Sequence, residues 1–255
     1  MGRILCVANQ KGGVGKTTTA VNLSASLAAA EQRVLLVDID PQANATSALG
    51  VQATEDDITI YEVLLGESPL AEAVRRDALP YLDLVPSANR LNGAEVELVP
   101  LLSRETRLQR ALAPVLANYA YVVVDCPPSL GLLTINALTA ADDGVIVPIQ
   151  CEYLALEGLG RLWQTIQLVR ENLNPDLTIF GMVLTMFDVR TNLAAQVVKE
   201  VRSYFPDQTF ATVVPRSVRL SEAPSYGEPV ATYAPNSPGA LAYHVLDVME
   251  SFGAV

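Results

Sequence analysis

A glycine-rich segment near the start of the chain constrains the fold more than any other feature. It reads Asn9-Gln10-Lys11-Gly12-Gly13-Val14-Gly15-Lys16-Thr17-Thr18-Thr19, between an apolar run at residues 4–8 and a helical pattern at residues 20–30. A strand, a glycine-rich turn and a helix, in this order, place backbone N–H groups and a helix N-terminus around a phosphate. Lys16 can then reach the terminal phosphates of a nucleotide, and the Thr17 hydroxyl can bind Mg²⁺.

The segment departs from the usual phosphate-binding pattern, G-x-x-x-x-G-K-[ST], in two ways. The first glycine of the pattern would fall at position 10, where this chain has Gln10. A second lysine, Lys11, stands five residues before Lys16. Lys11 has no evident function inside a single phosphate cradle, so this residue needs a separate explanation.

Length and composition fit an α/β protein with a sizeable core. The chain has 255 residues, half of them apolar, which allows one large domain or two small ones. No linker, internal repeat or low-complexity segment divides the sequence, so we expect a single domain over residues 1–255. The net charge of −11 excludes attraction of the whole molecule to nucleic acid or to an anionic membrane, and any such binding requires a local basic patch.

The cysteines, the histidine and the apolar runs favour a cytoplasmic protein without a structural metal. Cys6, Cys126 and Cys151 form no C-x-x-C pair, and we expect buried, reduced thiols. The lone histidine, His244, has no cysteine or histidine nearby and is not expected to bind a metal. The sequence begins with a strand-like run and contains no apolar run of about 20 residues, so neither a signal peptide nor a membrane span is expected.

Apolar runs that suit buried parallel strands alternate with helical patterns along the chain. This alternation predicts a doubly wound, mostly parallel sheet with helices on both faces. Thr59 and Glu62 form a capping-box signature before a short helix, and Ser237-Pro238 begins the last helix. Residues 42–50 and 216–235 are predicted as loops, and Trp163 as a core residue. Strands are predicted at residues 33–40, 82–86, 121–128, 144–150, 177–187 and 210–215, and helices at residues 104–119, 132–141, 156–172 and 192–204.

Carboxylates follow the predicted strands at the edge where a doubly wound sheet binds its ligands. Asp38 and Asp40 end the second strand, and Asp125 and Asp188 follow two later strands. A Mg²⁺–nucleotide site needs such groups, because one carboxylate can hold a metal-bound water and another can orient the attacking water. Together with the glycine-rich segment, these residues indicate a nucleotide hydrolase.

Taken together, these segments resemble the ParA/MinD class of P-loop ATPases. Residues 11–18 are similar to the deviant phosphate loop of that class. Asp38-Ile39-Asp40-Pro41-Gln42 resembles its switch I segment, and Asp125-Cys126-Pro127-Pro128 resembles its Walker B end. Residues 151–158, 184–192 and 215–224 resemble, more narrowly, the ParA/Soj-type partition ATPases. The resemblance covers nearly the whole chain.

This resemblance implies a role for Lys11, because in this class the extra lysine reaches the nucleotide phosphates of the other subunit in an ATP-dependent homodimer. Gly12 would permit the close approach of the two subunits. The resemblance also implies that the loop binds ATP or ADP with Mg²⁺: Gly13, Val14 and Gly15 belong to the cradle, Lys16 contacts the β- and γ-phosphates, Thr17 binds Mg²⁺, and Thr18 contacts the α-phosphate. Asp40 would position the attacking water and is a further candidate metal ligand, Asp125 would hold the Mg²⁺ water shell, and Pro215 and Ser217 would face the adenine.

The resemblance further implies non-specific binding of double-stranded DNA by the ATP-bound dimer, a location on the nucleoid, and a ParB-like centromere-binding partner that stimulates hydrolysis. Arg190 and Arg219 stand where the family keeps DNA-contacting arginines, and Arg216 is a further candidate. In an acidic chain, the alternative is that these residues are ordinary surface arginines.

Two other functions remain open at this point. A MinD-like membrane switch needs a basic amphipathic C-terminal helix, whereas residues 239–255 contain no Lys or Arg and include Asp247 and Glu250. A non-hydrolytic scaffold that keeps only the fold has no need for the combination of Lys16, Thr17, Asp40 and Asp125. We therefore favour a partition ATPase that does not contact a membrane.

Overall fold

The computed structural model describes residues 2–152 and 157–246. The strands are β1 Arg3–Val7, β2 Val34–Asp38, β3 Arg75–Leu79, β4 Leu82–Val85, β5 Tyr121–Asp125, β6 Gly144–Gln150, β7 Ile179–Phe187 and β8 Thr209–Pro215. Within the described residues, these strands form one eight-stranded sheet in the order β3-β4-β2-β5-β1-β6-β7-β8. Neighbouring strands are parallel, except for the antiparallel pair β3 and β4 at one edge.

Helices cover both faces of this sheet, and the predicted doubly wound fold is confirmed. One buried cluster includes Cys6, Leu35 and Val122, and the other includes the residues that alternate with them, such as Leu5, Leu36 and Val123. No helix within the described residues is long and apolar enough to cross a membrane. The helices are α1 Lys16–Ala29, α2 Asn44–Ala48, α3 Ile60–Leu65, α4 Leu70–Ala73, α5 Leu91–Glu97, α6 Arg107–Leu112, α7 Leu132–Ala140, α8 Glu157–Asn172, α9 Asn192–Tyr204, α10 Val218–Glu222, α11 Val230–Tyr233 and α12 Pro238–His244.

Local signals in the sequence are confirmed at several helix ends and at the cysteines. The Thr59 N–H donates to Glu62 Oε2 at 2.8 Å, and the Thr59 hydroxyl caps α3 in return. The Ser237 hydroxyl accepts from the Ala240 N–H at 3.3 Å and caps α12. Cys6, Cys126 and Cys151 are free and buried.

The two segments predicted as loops contain short helices, so those predictions are wrong. Residues 42–50 include α2, which tertiary hydrogen bonds hold: the Thr46 N–H and hydroxyl both donate to Asp38 Oδ2, at 2.8 and 2.7 Å. Residues 216–235 include α10, the 3₁₀ turn Ala223–Tyr226 and α11. Their prolines limit each helix to a few residues rather than preventing helix formation, since Pro224 stands in the first turn of the 3₁₀ segment.

Two further predictions need correction, and one strand was missed. The helix at residues 104–119 is broken into α6 and two 3₁₀ turns, because Pro114 has no N–H to continue the helix. Trp163 is 45% exposed, since it lies beside the stripe of α8 residues that faces the core. The edge strand β3 was not predicted, because Arg75–Leu79 has no apolar run. The helix predicted at 156–172 is present as α8 over its described part, Glu157–Asn172, and residues 153–156 and 247–255 lie outside the described residues.

Candidate nucleotide site

The glycine-rich loop between β1 and α1 is tied to two other strands of the sheet. Asn9 is buried, and its Nδ2 donates to the Pro148 carbonyl of β6 at 2.8 Å. Asn9 Oδ1 accepts from the Lys11 N–H at 3.0 Å. At the other end of the loop, the Thr185 hydroxyl of β7 donates to the Val14 carbonyl at 2.8 Å. These bonds fix the two ends of the loop in position.

Glycine is required at two positions of the loop for its backbone conformation. Gly13 has φ 73° and Gly15 has φ 89°, in the left-handed region that other residues adopt at a cost. Gly12 differs, because its φ is not positive and a Cβ at this position would meet no atom within 4 Å. Packing inside this chain therefore does not require a glycine at position 12.

The two lysines of the loop occupy different surroundings. Lys16 is buried, and its Nζ donates to the Lys11 carbonyl at 3.2 Å. Burial lowers the pKa of Lys16, and the nearby charges of Asp125 and Asp40 offset part of that shift. The Lys11 Nζ has no hydrogen bond or ion pair with any described residue.

Asp38 and Asp125 lie side by side at the carboxyl ends of β2 and β5, where their Cα atoms are register partners. Both side chains are fully buried. Burial raises the pKa of Asp38 to about 6, although hydrogen bonds from Thr46 and from the Asp40 N–H oppose the shift. Burial also raises the pKa of Asp125 well above its usual range, and the charge of Asp38 adds to that shift.

Asp125 differs from Asp38 and Asp40 in its hydrogen bonding. Neither of its oxygens has a well-aligned donor among the described residues. The Thr17 hydroxyl and the Lys16 ammonium are nevertheless close enough to lower the Asp125 pKa in part. A buried carboxylate in this condition is costly unless a cation or an ordered water completes its surroundings.

Asp40 lies just beyond the end of β2 and is 5% exposed. Its Oδ1 accepts from the Gln42 N–H at 2.9 Å, and its carbonyl accepts from the Ser87 hydroxyl at 2.7 Å. The Ser87 N–H in turn donates to the Thr46 hydroxyl at 2.9 Å. The same network therefore positions Asp38, Asp40 and α2.

A cavity of about 280 Å³ opens next to the loop and is lined by residues from the loop, β7, β8 and the C-terminal helices. It contains the predicted Pro215 and Ser217 together with Gly15 and Thr18. Met186 and Tyr243, which were not predicted from the sequence, also line it. Met186 has φ 53°, a strained conformation for a bulky residue, and the Tyr243 hydroxyl is 3.1 Å from the Thr19 hydroxyl.

The three predicted DNA-contacting arginines are exposed, and each forms an ion pair with a neighbouring acid. Arg190 pairs with Asp188 at 2.7 Å, Arg219 pairs with Glu222 at 2.8 Å, and Arg216 pairs with Glu152. The acid that engages Arg190 lies two residues before it in the sequence. The Arg190 guanidinium holds the pKa of the Asp188 carboxyl well below the usual range.

Comparison with known proteins identifies the family. A family model described as an AAA domain matches residues 2–179. The chain is 54% identical over 254 residues to the sporulation initiation inhibitor protein Soj of Bacillus subtilis, covering 100% of this chain and 99% of that protein. It is 57% identical over 246 residues to the chromosome partitioning protein ParA of Myxococcus xanthus, covering 96% of this chain and 87% of that protein. The chain belongs to the ParA/Soj family of partition ATPases.

A solved structure also resembles this ParA/Soj family member. Cobyrinic acid a,c-diamide synthase from Mycobacterium smegmatis, with bound ATP analog and magnesium, is 40% identical and superposes with a TM-score of 0.83. The match covers 96% of this chain and 92% of that chain. The family and the fold inferred from the phosphate loop, switch I and Walker B segments are thus confirmed.

Proposed function

We propose that the chain acts as a single-domain, ATP-driven dimeric switch in DNA segregation. In its ATP-bound dimer it binds double-stranded DNA on the nucleoid without sequence preference, and a ParB-like partner releases it by stimulating hydrolysis. The observation that carries the proposal is the contrast between the two loop lysines. Lys16 is buried beside Asp40 and Asp125, whereas the Lys11 Nζ has no partner among the described residues.

The residues of the site fit ATP or ADP with Mg²⁺. The unpartnered, buried Asp125 beside Thr17 suits a metal whose water shell it holds, with Thr17 as a direct ligand. Asp40 is a further candidate ligand, although no group of three His, Cys, Asp or Glu residues that could hold a metal occurs within the described residues. Bound Mg²⁺ would supply charge neutralisation on the phosphates. The cavity with Pro215 and Ser217 has room for the base.

In this proposal, each residue of the site has a separate role in hydrolysis. The N–H groups of Gly13, Val14 and Gly15 cradle the phosphates, Lys16 binds the β- and γ-phosphates, and Thr18 contacts the α-phosphate. Asp40 orients the attacking water. Lys11 of the partner subunit adds a positive charge where negative charge develops during transfer. The open space at Gly12 supports close approach of that second subunit.

The DNA-binding surface consists of Arg190, Arg219 and, as a further candidate, Arg216. Each guanidinium is exposed and engaged with an acid at the surface. Exposed pairs of this kind contribute little to stability, so a DNA phosphate can compete for the arginine. Two subunits would join these residues into a single basic strip, despite the net charge of −11.

The role of Lys11 is tested by measuring dimerisation with light scattering in Mg²⁺ and a non-hydrolysable ATP analogue. We expect Lys11→Ala to bind a fluorescent nucleotide as the wild type does but to remain monomeric, because the charge supplied across the interface is lost. Lys199→Ala is the matched control, since Lys199 is the one lysine outside the loop and is exposed on α9. Equal dimerisation of the Lys11 variant and the wild type would falsify the proposal.

A further inference from the structure

A groove between α3, α4 and α6 lies apart from the nucleotide site. Its volume is about 390 Å³, and its walls are mostly apolar, with Val63, Leu70 and Val115 among them. None of its lining residues belongs to the phosphate loop or to the carboxylates at the strand ends. Clefts of this size with apolar walls and a few polar groups are typical of small-molecule sites.

Two arginines line this groove without an acidic partner. Arg107 and Arg110 are three residues apart on α6, so their side chains are neighbours on the helix surface. Neither forms an ion pair with a described residue, and no Asp or Glu among the described residues lines the groove. The contrast with Arg104 is direct, since Arg104 pairs with Glu105 at 2.8 Å just before α6. Two adjacent like charges without a counter-ion repel each other.

Arg107 is fixed in position with part of its guanidinium unused. Its Nη1 donates to the Leu64 carbonyl at the end of α3, at 2.9 Å. A Cβ at Gly66 would lie 3.1 Å from this Nη1, and Gly66 has φ 81°, so a glycine permits the close approach. The Arg107 Nε is buried and has no hydrogen-bond partner among the described residues. The Arg107 Nη2 also has no hydrogen bond with a described residue and, unlike Nε, is not buried, so it can donate to an external acceptor.

The rim of the groove is apolar and exposed. Leu102 lines it and is 90% exposed. A ligand with an apolar body would cover Leu102, and a carboxylate on that ligand would neutralise the arginine pair. We propose that this groove binds a small carboxylate with a medium-length apolar body, its head on Arg107 and Arg110 and its body against Leu102 and Leu70.

The proposal is tested with octanoate, below its micelle concentration, by calorimetric titration of the full chain saturated with ADP and Mg²⁺ so that the nucleotide site is filled. We expect saturable binding of one octanoate, and binding of octanol that is about tenfold weaker because it lacks the charge-assisted hydrogen bonds. Arg110→Gln should weaken octanoate about tenfold and leave octanol unchanged. Leu102→Ser should weaken both ligands. Both substituted side chains are exposed, so the fold should be retained.

Arg161→Gln is the matched control, because Arg161 is an exposed arginine of α8 that does not line the groove. This variant changes the net charge by the same amount as Arg110→Gln. It should leave the affinities for octanoate and octanol unchanged. The proposal is overturned by an absence of saturable octanoate binding, by equal affinities for octanoate and octanol, or by an equal loss in Arg161→Gln. None of these results bears on the proposed DNA-segregation function, which rests on Lys11.

Discussion

At the scale of single residues, Asp125 lowers the stability of the fold while it suits the proposed metal site. It is fully buried, and its oxygens have no well-aligned hydrogen-bond donor among the described residues. Its folded-state pKa lies above the unfolded value, so its charged form destabilises the native state. This free-energy cost of the charged form is fully present at pH values above the folded-state pKa. It disappears as the pH falls toward the pKa of the unfolded state. A metal-bound water shell would remove the same cost by another route.

We therefore predict that Asp125→Asn stabilises the nucleotide-free and metal-free protein. The amide keeps the shape of the side chain and removes the buried charge, so the free energy of unfolding at pH 8 should rise by roughly 1–3 kcal/mol, the usual scale for an unpaired buried polar group. The gain should shrink at pH 5.5. Urea denaturation in EDTA at both pH values measures it, and ATPase activity should be lost.

Asp207→Asn is the control for this prediction, because Asp207 is exposed and its substitution makes the same change in net charge. A gain of equal size in that variant, or a gain in Asp125→Asn that is the same at both pH values, would contradict the role given to burial.

At the scale of elements, the sequence predicts those parts of the site whose conformation depends on neighbouring residues in the chain. The phosphate loop depends on Gly13 and Gly15, whose backbone conformation is a property of the residue itself, and the loop was predicted residue by residue. Helix α2 depends instead on hydrogen bonds from Thr46 to Asp38. A short polar segment favours a loop by propensity, and a tertiary contact overrides that preference.

The anchors of the loop were missed for the same reason. Asn9 and its acceptor Pro148 are 139 residues apart, and Thr185 and Val14 are 171 residues apart. No spacing rule links such positions. A weaker signal was present, since Thr185 is a hydroxyl residue inside an otherwise apolar strand, and a buried hydroxyl needs a partner.

The anchoring role predicts that Thr185→Val weakens nucleotide binding. The substitution keeps the shape and removes the hydrogen bond to the Val14 carbonyl, so stability should fall by about 1 kcal/mol. The affinity for a fluorescent ATP analogue should fall severalfold because the loop is less well held. Thr139→Val serves as the control, since the buried Thr139 hydroxyl donates to the Ile135 carbonyl within α7, away from the loop. An equal loss of affinity in the two variants would show that the effect is not specific to the loop.

At the scale of the whole molecule, the net charge of −11 has to be reconciled with the proposed binding of DNA. Each predicted DNA-contacting arginine has its own acid, and the acids compete with phosphates for the same guanidinium groups. Removing an acid should therefore have the opposite effect to removing its arginine.

We predict that, with ATP and Mg²⁺ present, Arg190→Ala and Arg219→Ala weaken DNA binding, whereas Asp188→Asn and Glu222→Gln strengthen it. Fluorescence anisotropy across a salt series measures the effect, and the slope of log affinity against log salt should become shallower by about one for each phosphate that is no longer bound. Glu105→Gln is the control, because its partner Arg104 lies outside the proposed surface. Unchanged binding in the Arg190 and Arg219 variants would remove these residues from the DNA site.

The hydrogen bond from Lys16 Nζ to the Lys11 carbonyl has a consequence for the order of assembly. A γ-phosphate that engages Lys16 would compete for the same ammonium protons and would weaken the hydrogen bond to the peptide that carries Lys11. The loop of an empty subunit is held by its own lysine, and the loop of a loaded subunit would be freer to adjust. In the proposed dimer, two subunits would then associate only when both are loaded, so that assembly would require two bound nucleotides.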